Sequence, residues 1–281
     1  AGAALPEDRS GSLTMIDTHC HLSHPDFDPD RDEVIARCWP NGVTAILEVG
    51  YSVETSRSAI AVARRHPERI RASVGIHPHE AGRAGEEDFT AIQGLSREPE
   101  VIAIGETGLD FYRDWAPRDR QVDLFTRTVR FGLERDLPLL IHDRAAHEDI
   151  LRILREEGRG RARGVFHCFS GDLDVARAAI DLGFYLGLGG SITYVNPRKK
   201  KGLMLRELPL DRILLETDAP WLSPEPEKGE RNDPTRMRHV VARLAEAQGV
   251  TGEEIVRRTT ENVARLFPHA APWPPARGSE N

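Results

Sequence analysis

Histidines recur at the ends of apolar, β-branched runs in this sequence. His19 and His21 stand two residues apart at the end of the run MIDTHC, with Cys20 between them. Because alternate residues of a β-strand point to the same face, both imidazoles are expected to face one way and Cys20 the other. One strand then presents two nitrogen ligands together. The spacing predicts a metal site at the end of this strand.

Further candidate ligands end later runs of the same kind. Glu106 lies in IGETGLD, where a buried carboxylate needs a positive partner, and bridging two metal ions would supply one. His142 in LLIHDR and His167 in VFHCFSG each end an apolar run and are predicted as ligands. Asp110 follows a tight turn at Gly108 and is expected to orient a neighbouring ligand or loop rather than to bind metal itself.

A pair of acids ends the run LLETDAPWL. Glu216 and Asp218 are two residues apart, so a strand would place both on one face. Asp218, nearer the strand end, is expected to bind a metal and to take a proton from an attacking water. Glu216 is expected either to hold the second nitrogen of a histidine ligand or to form a structural salt bridge.

Two more histidines, His77 and His79, lie in the segment GIHPH, where Pro78 stiffens the turn between them. The sequence leaves three alternatives open for them. They are metal ligands, substrate contacts, or turn residues without a role in chemistry.

This mixture of histidine and carboxylate, without cysteine, suits zinc, manganese or a similar divalent ion, whereas an all-oxygen site would favour calcium or magnesium. Two such ions about 3.5 to 4 Å apart would lower the pKa of a water molecule and offset negative charge on a phosphoryl oxygen. Hydrolysis is the reaction that this chemistry predicts.

The elements that position these residues alternate along the chain. Eight short apolar runs are separated by amphipathic segments such as 118–135, which indicates βα units and a parallel sheet. The runs cover 15–20, 44–50, 70–77, 101–107, 138–144, 164–170, 184–190 and 213–218. Helices are also predicted at 235–247 and 253–267, the second starting at a capping pattern of Thr251 and Glu254.

A doubly wound sheet usually has a glycine-rich turn after its first strand, and here that turn is His-Cys-His. We therefore predict an α/β fold of the TIM (β/α)8 barrel type, with the active face at the carboxyl ends of the strands.

The domain organisation follows from length and composition. Residues 15–267 are predicted as a single barrel domain of a typical size, residues 1–14 as an N-terminal extension, either a native leader or added residues, and residues 268–281 as a flexible tail. The extension lacks the basic and apolar regions of a signal peptide.

Bulk composition excludes some classes of function. The formal charge of −7 disfavours loose, sequence-independent coating of DNA, which needs a broad basic surface. The chain contains no apolar run near the roughly 18 residues of a membrane span, so no membrane partner is expected. Three cysteines without paired spacing favour a reducing compartment, and we predict a cytoplasmic location.

Six blocks of this sequence are DTHCHL, VGIHPH, IGETGLDFYRD, LLIHDR, HCFSG and LLETDAPWL. Taken together, they resemble the TatD family of metal-dependent hydrolases, from about Met15 to Phe267. The resemblance implies a TIM barrel of the amidohydrolase-like kind. It implies two metal ions joined by a bridging glutamate. The implied ligands of one ion are His19, His21, Glu106 and Asp218, and those of the other are Glu106, His142 and His167.

The same resemblance implies hydrolysis of DNA, often as a 3′ to 5′ exonuclease on single strands, supported by magnesium or manganese in assay even where zinc binds. The chain departs from the family at one place. The family commonly has Arg-Asn-Glu-Pro after the eighth strand, whereas this chain has Arg231, Asn232, Asp233 and Pro234. Arg231 is a candidate contact to a substrate phosphate, with a solvated loop arginine as the alternative.

Other candidate contacts to a nucleic acid are basic and aromatic residues on loops of the predicted active face. Arg113 and the run 198–201 (Arg-Lys-Lys-Lys) are candidates for backbone contact, although a charge run is usually a solvated surface. Base stacking or ordinary packing is expected of Tyr112, Phe169, Tyr194 and Trp221.

Two competing functions remain open from the sequence. The same barrel and ligands can activate water against an amide or ester, including the aminoacyl ester of a transfer RNA. A catalytically idle metal-binding scaffold for a partner protein is weakened by the complete ligand set, and no obligate protein partner is evident. A positive groove for several phosphates would favour the nuclease, and a closed pocket for one small molecule would favour the amide or ester hydrolase.

Overall fold

The computed structural model describes residues 14–113, 115–196, 199–270 and 273. Nearly all of the predicted N-terminal extension and most of the predicted tail lie outside these residues. Within the described ranges, no helix is both long and apolar enough to cross a membrane.

Eight parallel strands form one sheet in which each strand is hydrogen-bonded to the next in chain order. They are β1 (Met15–Cys20), β2 (Val43–Val49), β3 (Ile70–Val74), β4 (Val101–Asp110), β5 (Leu139–Arg144), β6 (Gly164–Phe166), β7 (Phe184–Leu188) and β8 (Ile213–Leu215). The last strand returns beside the first, where Thr18 Oγ1 donates a hydrogen bond of 3.0 Å to the carbonyl of Leu215. The predicted (β/α)8 barrel is confirmed.

The helices surround the strands. They are α1 (Arg31–Cys38), α2 (Val53–Arg65), α3 (Glu86–Leu95), α4 (Arg118–Arg135), α5 (His147–Gly158), α6 (Leu173–Asp181), α7 (Lys200–Glu207), α8 (Met237–Gln248) and α9 (Gly252–Leu266). The predicted cap of the last helix is confirmed, since the side chain of Thr251 accepts a hydrogen bond from the Glu254 N–H. Every α-helix among these follows a strand or another helix along the chain, as a barrel requires.

Two apolar clusters occupy the two faces of the strands. One contains alternate residues of β2, namely Ala45, Leu47 and Val49, together with residues of six other strands, so it fills the barrel interior. The other, which includes Ile46, packs between the strands and the helices. Phe267 and Trp273 join the inner cluster, and the Trp273 indole donates to the carbonyl of Arg69, just before β3. These aromatic rings therefore close the amino-terminal end of the barrel, opposite the predicted active face.

Several strands end earlier than their apolar runs predicted. β3, β6 and β8 stop at Val74, Phe166 and Leu215. Cys168 and Asp218 have φ angles of 45° and 57°, in the left-handed region, which breaks the extended conformation shortly after β6 and β8. The histidines and acids predicted at the ends of these strands therefore lie on the loops just beyond them.

Candidate metal centre

The predicted ligands meet at the carboxyl ends of the strands. His19 lies on β1, Glu106 on β4 and His142 on β5, while His167 and Asp218 lie just after β6 and β8. His19, His21, Glu106 and His167 are all buried. Strands that are far apart in sequence thus bring their polar side chains together in one cluster at the active face.

Four ligand atoms form a compact group at the β1 side of this cluster. His19 Nε2 and His21 Nε2 are 3.1 Å apart. Glu106 Oε2 lies 3.5 and 3.9 Å from these two nitrogens, and Asp218 Oδ1 lies 3.9 and 3.5 Å from them. An ion held tetrahedrally by bonds of about 2.1 Å separates its ligands by about 3.4 Å. The spacing of the four atoms therefore fits one divalent ion between them.

The electrostatics of the two histidines agree with this fit. The pKa of His19 is lowered by burial and by the neighbouring His167, whose ring stacks on it at 3.5 Å. Burial opposes protonation of His21 too, but the carboxylates of Asp218 and Glu106 outweigh it and raise its pKa. Within the described residues, His19 Nδ1 has no hydrogen-bond partner. Buried imidazoles crowded in this way are stabilised by a cation that accepts their lone pairs.

Glu106 connects this group to a second one. Its Oε1 atom lies 2.9 Å from His142 Nδ1 and 3.9 Å from His167 Nε2, whereas its Oε2 atom faces the first group. Burial alone would raise the pKa of Glu106, but the histidines around it hold that pKa well below its usual range. The anionic carboxylate thus directs one oxygen to each of two ligand groups, which is the arrangement of a carboxylate that bridges two ions.

A layer of hydrogen bonds behind the cluster orients its members. Glu216 Oε1 lies 3.1 Å from His167 Nδ1 and accepts a hydrogen bond of 2.5 Å from the N–H of Cys168. His21 Nδ1 lies 3.0 Å from the carbonyl oxygen of Val49. Val49 thus holds Nδ1 of His21, Glu216 is the carboxylate beside Nδ1 of His167, and Nε2 of each ring faces the cluster.

Asp110 occupies the equivalent place on the β4 side. Its Oδ2 atom is 3.2 Å from His142 Nε2 and 2.8 Å from His79 Nε2. Its Oδ1 atom accepts hydrogen bonds from the backbone N–H groups of Tyr112 and Arg113. The carboxylate therefore contacts both a candidate ligand and the loop that follows β4, and its orienting role stays a prediction.

The two histidines after β3 occupy different positions. His77 Nε2 lies 3.4 Å from Glu106 Oε1, and burial lowers the pKa of this imidazole to about 4 although Glu106 opposes the shift. His79 instead contacts Asp110, and its backbone N–H donates to His77 Nδ1. A neutral His77 can bind a metal or donate a hydrogen bond to substrate, so its role stays a prediction.

The structure places the two described arginines that are candidate substrate contacts in different surroundings. Arg231 donates bidentate hydrogen bonds of 2.9 and 2.6 Å to Asp30 and a further one to the carbonyl of Asp26. It therefore connects the loop after β8 to the segment before α1, and a phosphate contact would have to share this guanidinium. Arg113, by contrast, lies against exposed aromatic rings beside the cluster. Arg198, from the basic run, lies outside the described residues.

Three buried polar residues that support the site were not among the predicted residues. Asp17 accepts hydrogen bonds from the Thr217 backbone N–H and hydroxyl, and burial raises its pKa to about 7. Glu48 accepts two hydrogen bonds of 2.7 Å, from the N–H groups of Leu22 and Ser23. Asn232 donates to two carbonyls of the loop after β8. A signal existed for the two acids, since each is a carboxylate within a buried strand.

Comparison with known proteins places these features in a family. The sequence model described as TatD related DNase matches residues 16–268. The chain is 41% identical over 253 residues to an uncharacterized metal-dependent hydrolase, YabD, of Bacillus subtilis, covering 90% of this chain and 98% of that protein. It is 37% identical over 262 residues to the 3′-5′ ssDNA/RNA exonuclease TatD of Cronobacter sakazakii, covering 90% and 97%. The crystal structure of YJJV, a TatD homolog from Escherichia coli, superposes with a TM-score of 0.85 at 31% identity and covers 91% of this chain and 98% of that one.

Proposed function

Because this chain belongs to the TatD family of metal-dependent hydrolases, we propose that it hydrolyses the phosphodiester bonds of single-stranded DNA, stepwise from the 3′ end. Relatives named as 3′-5′ ssDNA/RNA exonucleases support this substrate and direction. The number of ions, their identity and the role of each residue below are part of the same proposal.

The position of Glu106 is the observation that carries the proposal. One carboxylate oxygen faces His19 and His21, and the other faces His142 and His167. We assign one divalent ion to His19, His21, Glu106 and Asp218, and a second to Glu106, His142 and His167. When bound, the two ions, zinc, manganese or magnesium, supply positive charge that acidifies water and offsets charge on the phosphoryl oxygens.

Asp218 is the group that we assign to proton transfer. Its side chain is 15% exposed, more than those of His19, His21 and Glu106 around it, so a water molecule can reach it. Burial raises the pKa of Asp218, but His167 and His21 outweigh burial and keep the pKa below its usual value. The group is therefore a carboxylate at neutral pH and can accept a proton from the attacking water.

The left-handed backbone at Asp218 helps to aim this carboxylate. Its φ of 57° is uncommon for residues other than glycine, although aspartate tolerates it better than most. A hydrogen bond of 2.9 Å from the Asp218 N–H to the carbonyl of His19 fixes the turn against β1. The candidate base and the first histidine ligand are thereby held together by the backbone as well as by their side chains.

The test is hydrolysis of 5′-labelled single-stranded DNA by purified protein with magnesium or manganese. We expect a ladder of stepwise shorter products that requires both the metal and Asp218, so Asp218→Ala and a chelator should each abolish it. Asp211→Ala, which removes an exposed carboxylate just before β8, is the matched control and should be fully active. Metal content is measured in parallel, and we expect about two ions per chain.

Two other results would change the proposal. Internal cuts that appear before any shortening would replace the exonuclease with an endonuclease. Absence of cleavage by protein with its full metal content would refute the nuclease and favour the amide or ester hydrolase that uses the same ligands.

A further inference from the structure

Large hydrophobic side chains are exposed at five positions of the described chain, and three of these are aromatic residues beside the metal centre. The five are Tyr112, Trp115, Leu203, Trp221 and Val250. The three aromatic side chains, Tyr112, Trp115 and Trp221, are exposed by 66%, 64% and 42% respectively. A single exposed ring needs no explanation, but three around one site mark a surface that binds something apolar or aromatic.

Two of these rings belong to the loop after β4, where Arg113 of the same loop and Arg144, the last residue of β5, lie against them. We call Tyr112, Arg113, Trp115 and Arg144 the loop platform. The Arg113 guanidinium lies 5.0 Å from the Trp115 ring and 5.9 Å from the Tyr112 ring, and that of Arg144 lies 4.2 Å above the Tyr112 ring. Among the described residues, neither arginine has a carboxylate within ion-pair distance.

The loop platform is attached to the metal centre through Asp110. Asp110 Oδ1 accepts hydrogen bonds from the backbone N–H groups of Tyr112 and Arg113, and Asp110 Oδ2 contacts His142. The Trp115 ring also packs edge-on against His79, at 4.5 Å between ring centroids. The rings are therefore held beside the second ligand group although Tyr112 and Trp115 are 66% and 64% exposed.

Trp221 lies beside the first ligand group. Its ring is 5.1 Å from that of His21 and 5.0 Å from that of His24. Its backbone is fixed by a hydrogen bond to the carbonyl of Asp218 and by another from the Asn232 amide. Because the eight strands follow one another around the barrel, the loops after β8 and β1 lie opposite the loops after β4 and β5. Trp221 and the loop platform thus flank the metal centre from opposite sides.

We propose that Trp221 and the loop platform are two base-stacking subsites, one on each side of the scissile phosphodiester, which make a single-stranded polynucleotide the preferred substrate. This inference rests on the proposed nuclease function. Unpaired bases offer free faces to aromatic rings, whereas bases in a duplex are already stacked on each other. Arg113 and Arg144 supply local positive charge for flanking phosphates on a protein whose net charge is −7.

Kinetics on two substrates test the inference. Trp115→Ala and Trp221→Ala should each raise KM for a short oligodeoxythymidylate about 5- to 150-fold, the range found for loss of one stacked base. Hydrolysis of bis(p-nitrophenyl) phosphate, which has no polynucleotide chain and only two small rings, should be affected much less. Trp→Phe at either position should bring KM most of the way back to the wild-type value, because phenylalanine can still stack on a base. Trp39→Phe is the matched control, because Trp39 lies beside Arg69, which precedes β3 at the opposite end of the barrel.

Tryptophan fluorescence gives an independent reading of binding. The chain has four tryptophans, and stacking on a base should quench Trp115 and Trp221 but not Trp39 or Trp273. Trp115→Phe and Trp221→Phe should each reduce the quenching produced by the oligonucleotide, and Trp39→Phe should leave it intact.

The outcomes separate the two proposals. If the wild type cleaves DNA but the alanine variants keep their KM, the stacking inference is wrong and the nuclease stands. If the alanine variants lose both substrates equally, the rings serve the structure of the site and the inference is again overturned. If the wild type hydrolyses bis(p-nitrophenyl) phosphate but neither binds nor cleaves DNA, the nuclease fails and the inference falls with it.

Discussion

Glu48 offers a direct measure of how strongly buried hydrogen bonds hold the first two histidine ligands. It is fully buried on β2, and its two carboxylate oxygens accept hydrogen bonds of 2.7 Å from Leu22 N and Ser23 N. These residues directly follow His21, so the carboxylate fixes the chain as it leaves the His-Cys-His segment. The perturbation that we choose is Glu48→Gln, which preserves the size and shape of the side chain.

The expected cost follows from counting donors and acceptors. Glutamine keeps one acceptor oxygen but turns its NH₂ group towards the other backbone N–H, which leaves that buried donor without a partner. An unsatisfied buried N–H costs about 1–3 kcal/mol. We therefore expect the free energy of unfolding to fall by about 2 kcal/mol. For a chain of this size, that corresponds to a Tm lower by about 4–8 °C. Because His21 is displaced with the loop, affinity for the metal should fall about 10- to 100-fold.

The assay is urea unfolding of the metal-free protein, combined with titration of Zn²⁺ or Mn²⁺ into it. Glu100→Gln is the matched control, because Glu100 accepts its hydrogen bond from Arg64 at the opposite end of the barrel. Because the Arg64 side chain of this pair is 53% exposed, we expect the control to lose less than about 1 kcal/mol, the usual value of a surface ion pair. If Glu48→Gln has the same unfolding midpoint and metal affinity as this control, the reasoning is refuted.

Three further predictions concern the metal ions and the cysteines. Glu106→Ala should lose nearly all hydrolysis and the bound metal while keeping its far-ultraviolet circular dichroism, and a variant that stayed active would exclude a bridging carboxylate. Burial opposes protonation of His142 and His167, but nearby carboxylates outweigh it and raise their pKa to about 9 and about 10 in the metal-free protein. A raised pKa stabilises the fold below the ordinary histidine value of 6.5, and this stabilisation is lost as pH rises through 9 and 10. After the metal is removed with a chelator, the free energy of unfolding should therefore fall, and the affinity for metal rise, between pH 7 and pH 10. His167→Gln, which keeps His142, should show a shallower fall, and a wild-type profile that is flat or no steeper than that of this variant would contradict the reasoning. Burial raises the pKa of all three thiols, so the native protein should react slowly with a disulfide reagent at pH 8. Unfolded protein should react fully. Rapid reaction of one native thiol would show that this thiol is more accessible than it is in the structure. The thiols are those of Cys20, Cys38 and Cys168.

The order of the strands and much of the cluster could be predicted because both depend on local patterns. The period of two placed His19 and His21 on one face, and β1 does extend across Met15–Cys20. The same argument failed for Glu216 and Asp218, because β8 ends at Leu215 and Asp218 takes a left-handed conformation. Both acids still reach the cluster, but a turn directs them there, and spacing alone does not reveal a positive φ.

Contacts between distant segments could not be predicted in this way. Arg231 was a candidate for phosphate, and its bidentate partner Asp30 lies 201 residues earlier in the chain. The sequence does not reveal the exposure of Trp115, because a lone tryptophan in a loop has no pattern that distinguishes an exposed ring from a packed one. In both cases the decisive fact is which loops become neighbours when the barrel closes.

The junction between the last strand and the first has a consequence for how the molecule folds. Asp17 and Thr217, which join there, are 200 residues apart, and bringing such distant segments together costs about 2 kcal/mol more in chain entropy than closing a 20-residue loop. His19 and Asp218, two of the four residues that we assign to a single ion, lie on opposite sides of this junction. During synthesis, a nascent chain that has emerged only as far as β7 contains the His-Cys-His segment and Glu106 but lacks Asp218. The four ligands that we assign to this ion thus come together only when the first and last strands meet, so binding of the ion would stabilise the closed barrel.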